Sequence, residues 1–306
     1  MFVADAHCDT LYAIAIEGKR LSQCAVTPDR LAAGGVGLQT FALFAGRNGP
    51  QGTPYADGLA MLTAAPTVGV RFLVDELPDS PPDQPAGIFS CEGGEMLEGS
   101  LERLSDFQLS ARLRMIALTW NFENEIGHPA VEGPKGGLKP FGFRLLQSMD
   151  RYGILADVSH LNEAGFWDVC EHTALPPIAS HSDCRWLCDV PRNLNRDQVR
   201  AIIDRGGFIG VNFYGRFLRE GGNATLDDVV RHVDALCELG GEHVVGFGSD
   251  FDGISEWPDG LGDPSGFPTL LDALRRRGYS EQTLENLAGL NLWNLLKRAE
   301  RESTLR

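Results

Sequence analysis

The stretch Asp5-Ala6-His7-Cys8-Asp9 follows the short apolar run Phe2-Val3-Ala4, which predicts a brief buried strand. Side chains alternate along a strand, so a His and an Asp two residues apart at its end point the same way. An imidazole nitrogen and a carboxylate oxygen side by side at the mouth of a sheet are half of a divalent-metal site. Alone, these five residues better suit a turn capped by Asp5 and Asp9, with His7 packed in the core. The rest of the chain decides between the two.

Seven further strand candidates lie near residues 39, 88, 117, 156, 178, 209 and 246. Helical patterns fall between and after them over 10–18, 56–65, 97–109, 140–152, 162–172, 197–204, 226–239, 268–277 and 281–299, with Ser280 as N-cap of the last. Strands separated by helices argue for an α/β fold with a parallel sheet. Eight strands suggest a closed (β/α)8 barrel, although a doubly wound open sheet accommodates most of the same pattern. The loop over 121–137 is rich in Gly and Asn, as functional loops and plain surface excursions both are. With no internal repeat, low-complexity tract or linker, residues 1–306 read as one domain.

The 306 residues are 43% hydrophobic, enough for a sizeable core. The net charge of −15 and pI near 4.9 predict repulsion from nucleic-acid phosphates and anionic membranes, so neither is an expected partner. Seven scattered Cys with no C-x-x-C pair are expected to be reduced and mostly buried. The N-terminus has no basic leader or long apolar run, so the expectation is a cytoplasmic protein with no transmembrane span.

The strand ends carry the chemistry. The first candidate ends in His7 and Asp9, the third in Glu92, the fifth in His160, the sixth in His181 and the eighth in Asp250. In a barrel these C-terminal ends meet around one mouth. Three His and three carboxylates exceed what one cation uses while keeping a catalytic position open; two zinc-like ions sharing a carboxylate can use them all. Singly, Asp250 also suits an Asx turn and Glu92 a helix cap. Recurrence at successive strand ends favours the metal reading. His172, His232 and His243 read as surface or capping residues, whereas His128, in the long loop, is a candidate to reach the mouth.

With these residues assembled, the chain resembles the membrane (renal) dipeptidase family of metallopeptidases over essentially its whole length. The resemblance rests on Asp5-Ala6-His7-Cys8-Asp9, Glu92-Gly93-Gly94, Asp157-Val158-Ser159-His160, Ser180-His181-Ser182, Pro191-Arg192-Asn193, Val211-Asn212-Phe213-Tyr214 and Gly246-Phe247-Gly248-Ser249-Asp250-Phe251-Asp252-Gly253. It implies a (β/α)8 barrel with two zinc ions. His7, Asp9 and Asp250 would hold one ion, His160 and His181 the other, and Glu92 would bridge them. Arg192 would grip the carboxylate of a dipeptide, with Asn193 and Tyr214 adding contacts. A metal-bridging hydroxide would attack the peptide carbonyl, with Asp250 as proton shuttle. Family members often pair as homodimers.

One position departs from the family. Its mammalian members carry a His after the Leu-Thr of the fourth strand, where this chain has Trp120, which neither accepts a proton nor carries charge. His128 or Asn121 would have to substitute, or the substrate differs. The competing reading is a metal-dependent amidohydrolase acting on another small amide, cyclic amide or ester. A catalytically silent barrel is a third, disfavoured by the intact ligand set.

Overall fold

The computed structural model describes residues 1–46 and 52–305. Its strands are β1 (Val3–Asp5), β2 (Val36–Phe44), β3 (Arg71–Phe72), β4 (Ala86–Glu92), β5 (Met115–Ala117), β6 (Leu155–Asp157), β7 (Ile178–Ala179), β8 (Phe208–Val211) and β9 (Val245–Phe247). Every pairing is parallel, in the order β2-β1-β9-β8-β7-β6-β5-β4, and β4 pairs back onto β2 from Leu38↔Ala86 to Phe44↔Glu92. That last ladder closes an eight-stranded barrel and excludes the open sheet. The short β3 was not expected. It covers the start of β4 at Ala86 and Gly87, below the Ser90–Glu92 segment that β5 occupies.

Alternation along the strands sorts the core into two clusters. Val36, Phe41, Leu43, Phe89, Cys91, Ile116, Val211 and Phe247 belong to the larger, shared with the surrounding helices. Leu38, Ala86, Ile88, Met115, Leu155, Ile178 and Phe208 form the smaller, closed by Leu292, Trp293, Leu295, Leu296 and Ala299 of the last helix. Glu92 shares a face with Ala86 and Ile88 at the opposite end of the same strand. The barrel is therefore closed largely by hydrocarbon at its strand starts and carries the candidate ligating groups at its strand ends.

Most helices lie where periodicity put them. Pro140–Tyr152 coincides with its predicted span, and Ser280 accepts from the Thr283 N–H as an N-cap. The single helix expected over 281–299 is instead two, Glu281–Glu285 and Asn291–Glu302, joined by the π turn Asn286–Leu290. A π turn adds one residue per turn without breaking helical hydrogen bonding, so apolar periodicity does not reveal it. The short helix Pro28–Ala33, capped by Thr27, was missed because six residues give too little period. The strands are also shorter than expected. β6, β7 and β9 stop at Asp157, Ala179 and Phe247, so His160, His181 and Asp250 stand on the loops beyond them.

All seven Cys are free, and no helix among the described residues is long and apolar enough to cross a membrane. The backbones of β7 and β9 converge tightly: a Cβ at Gly248 would sit 1.8 Å from the Ser180 carbonyl oxygen. Gly248→Ala is expected to lose about 1–3 kcal/mol of stability, read as a lower urea midpoint. An unchanged midpoint would show that these backbones part freely.

Candidate metal centre

His7 Nε2 lies 3.4 Å from Asp9 Oδ2, 3.4 Å from Glu92 Oε2 and 4.0 Å from Asp250 Oδ1. The other Glu92 oxygen, Oε1, lies 2.9 Å from His160 Nε2 and 3.4 Å from His181 Nε2. Those two imidazole nitrogens are 3.0 Å apart. Glu92 therefore faces His7 with one oxygen and the His160–His181 pair with the other. His7, Asp9 and Asp250 form one cluster of candidate ligand atoms, and His7, Glu92 and His181 another. Five of the six side chains are buried, and that of Asp250 is 13% exposed.

The donor set fits divalent cations. Ligand atoms at zinc distances in a tetrahedral shell stand about 3.3 Å apart, close to the spacings above. His7 Nε2 and Asp9 Oδ1 are buried without a hydrogen-bond partner, which is costly unless something else engages them. The local charges point the same way. Burial and the neighbouring Glu92 push Asp9 up to about 8. Burial alone would lower His7, but Glu92 and Asp9 outweigh it and hold the imidazole well above its ordinary value. Burial would raise Glu92, yet His7, His160 and His181 together hold it well below the usual carboxylate range. His160 is lowered to about 4 by burial and Arg192, and His181 falls well below its usual value through burial and His7. His160 and His181 are thereby held as neutral imidazoles, the state in which they can ligate a cation. His7 and Asp9 are instead held toward their protonated forms, so cation binding there would release protons.

Local backbone and partner groups aim these side chains. His160 and Asp250 adopt left-handed backbone, with φ of 68° and 65°. Such conformers cost of order 1–3 kcal/mol, and they turn the chain sharply just past β6 and β9. Asn121 Oδ1 accepts from His160 Nδ1 at 2.9 Å. Asn212 donates from Nδ2 to Asp250 Oδ2 at 2.9 Å and accepts the Tyr214 N–H at 2.6 Å. Asp5, pushed up to about 6 by burial, accepts from Ser249 N–H and O–H and from Gln39, tying β1, β2 and β9 beneath the site. Neither Asn121 nor Asn212 was assigned to a ligand in the sequence. Asn212 directly follows β8, and Asn121 directly follows the strand expected to end at Trp120, so the strand-end rule that picked the candidate ligands also points to both.

A cavity of about 210 Å³ opens onto Asp9, Glu92, His160 and Asp250. Its apolar wall includes Tyr12, Phe44, Trp120, Tyr214, Phe217 and Ile254. Trp120 packs edge-on against Phe44, with ring centres 4.8 Å apart, and lies 6.1 Å from His160. Arg192 is buried behind Phe217: Nη1 donates to Ser182 Oγ, Nη2 to the His181 carbonyl, and Nε has no partner. It lines a neighbouring cavity of about 410 Å³ rather than this one. Asn193 is spent on structure, donating to the Cys188 and Phe217 carbonyls. His128 is not brought to the mouth; its Nδ1 lies 3.4 Å from Glu123. His232, expected on the surface or in a cap, is buried between the Cys184 N–H and the Leu218 carbonyl.

The family model for membrane dipeptidase (peptidase family M19) matches residues 1–305. A Klebsiella pneumoniae protein, described only as uncharacterised and in the pqqA 5′ region, is 39% identical over 222 residues, covering 69% of this chain and 81% of its own. An uncharacterised dipeptidase of Schizosaccharomyces pombe is 34% identical over 216 residues, covering 68% of this chain and 52% of its own. This chain thus matches about half the length of that yeast protein. A Rhodobacter sphaeroides metallopeptidase, crystallised with a phosphinate mimic of the dipeptide L-Ala-D-Ala, superposes with a TM-score of 0.87 at 28% identity, covering 98% of this chain and 99% of that one.

Zinc added to chelator-stripped protein at 100 times its Kd is expected to raise the unfolding free energy by about 2.7 kcal/mol per site, read as a higher Tm. An unmoved Tm would mean that the cluster holds no cation. A Cβ at Gly253 would lie 2.1 Å from Asp9 Oδ2 and 2.6 Å from Asp250 Oδ1, so Gly253→Ala is expected to abolish most of that gain.

Proposed function

This chain belongs to the membrane dipeptidase family of metallopeptidases, and we propose that it hydrolyses dipeptides at a binuclear zinc centre built from His7, Asp9, Glu92, His160, His181 and Asp250. The observation that carries this reading is Glu92, whose two oxygens face two separate sets of imidazoles at 2.9–3.4 Å. Held by these six residues, two such ions would supply a Lewis acid for the scissile carbonyl and would lower the pKa of the attacking water.

The chain's own groups then have defined tasks. Glu92 holds the two halves of the centre in register. Asp250, at the cavity wall with one oxygen fixed by Asn212, carries the proton from the attacking water to the leaving amine. The aromatic wall excludes bulk water. A cavity of about 210 Å³ is below the roughly 300–1,000 Å³ of drug-sized sites and suits a substrate as small as a dipeptide. Arg192, buried with a free Nε, is the candidate for the substrate's terminal carboxylate, although it lines the neighbouring cavity and Phe217, on the wall of this one, would have to yield for the two to meet. The dipeptide mimic held by the Rhodobacter relative supports the same substrate class.

Trp120 sustains a second reading. With an indole on the cavity wall where the family's mammalian members carry a His, the substrate is another small amide, cyclic amide or ester. A panel of L,L- and L,D-dipeptides against N-acyl amino acids and lactones separates the two. Chelator-sensitive dipeptide cleavage is the expected result; turnover of lactones or N-acyl amino acids alone would overturn it. Arg192→Ala is expected to raise KM for dipeptides by about 30-fold or more, the factor for about 2 kcal/mol. His128→Ala is expected to leave kcat/KM unchanged.

A further inference from the structure

The two imidazoles on the far side of Glu92 are not supported alike. His160 leans on a neutral amide, Asn121. Behind His181 is a chain of buried groups. Ser180 Oγ lies 2.7 Å from His181 Nδ1 and donates to Asp157 Oδ2. Asp157 Oδ1 in turn accepts the Ser159 and Ser180 N–H groups, at 2.9 and 3.0 Å. Ser159 Oγ accepts the His181 N–H at 3.2 Å. Asp157, Ser159, Ser180 and His181 are all at most 2% exposed.

We propose that Asp157 and Ser180 form a hydrogen-bonded relay that fixes the tautomer of His181 and so presents its Nε2 lone pair to the cation. The argument is a count of protons. An ionised carboxylate only accepts, and a serine hydroxyl has one proton. That proton goes to Asp157, so toward His181 the Ser180 oxygen can only accept. The neutral His181 ring therefore carries its hydrogen on Nδ1, and Nε2 faces Glu92 Oε1 and His160 Nε2 with its lone pair bare. A carboxylate behind a ligating imidazole also raises its basicity. Here the charge acts through a hydroxyl because β7 ends at Ala179, which lets the adjacent side chains of Ser180 and His181 meet. Asp157 and Ser180 are positioning residues and touch neither substrate nor cation. The inference rests on the metal reading of the site and is independent of which amide is cleaved.

Two measurements test it. Long-range ¹H–¹⁵N NMR of the histidine rings in metal-free protein reads the tautomer directly. The expected result is His181 protonated on Nδ1 in the wild type and on Nε2 in Asp157→Asn, whose amide would donate to Ser180 and turn its proton toward the ring. Cobalt(II) titration against a chelating dye reads the two sites by stoichiometry and visible absorption. Asp157→Asn and Ser180→Ala are each expected to weaken one of two cobalt sites by about 10–100-fold, while Ser180→Thr, which keeps the hydroxyl, retains both. Asp157→Asn preserves shape, so it carries the test if Ser180→Ala fails to fold. An Nε2–H tautomer in the wild type, or two cobalt ions held at wild-type affinity by Asp157→Asn, overturns the relay. A wild-type chain that takes up no cobalt overturns the metal reading itself and the relay's purpose with it.

Discussion

One carboxylate, Glu92, stands in contact with three buried imidazoles, and two further carboxylates crowd the first of them. Taking such charges out of water costs several kcal/mol per ion even after relaxation. Carboxylates forced together in that setting resist ionisation, as the upward shifts of Asp9 and Asp250 record. A divalent cation would offset both, because it binds the ionised acid and the neutral ring and displaces the protons that burial and crowding favour at Asp9 and His7. The barrel answers to this requirement. Its strand starts close on apolar side chains under the last helix, and its candidate ligands stand at the strand ends.

Around the ligands lies a second layer of polar groups, each with an assigned partner. Asp5 gathers Ser249 and Gln39, Asn212 holds Asp250, Asn121 holds His160, and Asp157 with Ser180 backs His181. Every one of these bonds joins residues distant in sequence or turns a loop just past a strand. Satisfied networks of this kind rigidify a site, and a half-satisfied one is costly. The same precision explains Gly253, whose missing Cβ makes room for the oxygens of Asp9 and Asp250. The aromatic wall follows a different rule. Trp120 packs edge-on against Phe44 and Phe122 and brings shape and dryness, but no charge.

The candidate ligand set was legible because its signal is local: a polar residue of the right type follows an apolar run, repeatedly along one chain. That signal survived errors in strand length. The strands expected to run to His160, His181 and Asp250 stop two or three residues earlier, and left-handed backbone at His160 and Asp250 carries those side chains the rest of the way. No periodicity reports a positive φ. His128 shows the opposite failure: proximity in sequence to Trp120 suggested a shared mouth, and its loop instead takes it to Glu123.

By itself, the sequence determined the alternation of strands and helices, the identity of six ligand candidates and the family to which they belong, since each depends on residues near one another along the chain. Tertiary structure alone decided that the sheet closes, because the β2–β4 ladder joins segments that no local pattern connects. It also decided that one oxygen of Glu92 faces His7 while the other faces His160 and His181, and that Arg192 is buried behind Phe217. Those facts are directions in space, and a direction is set only when distant backbone segments are packed against one another.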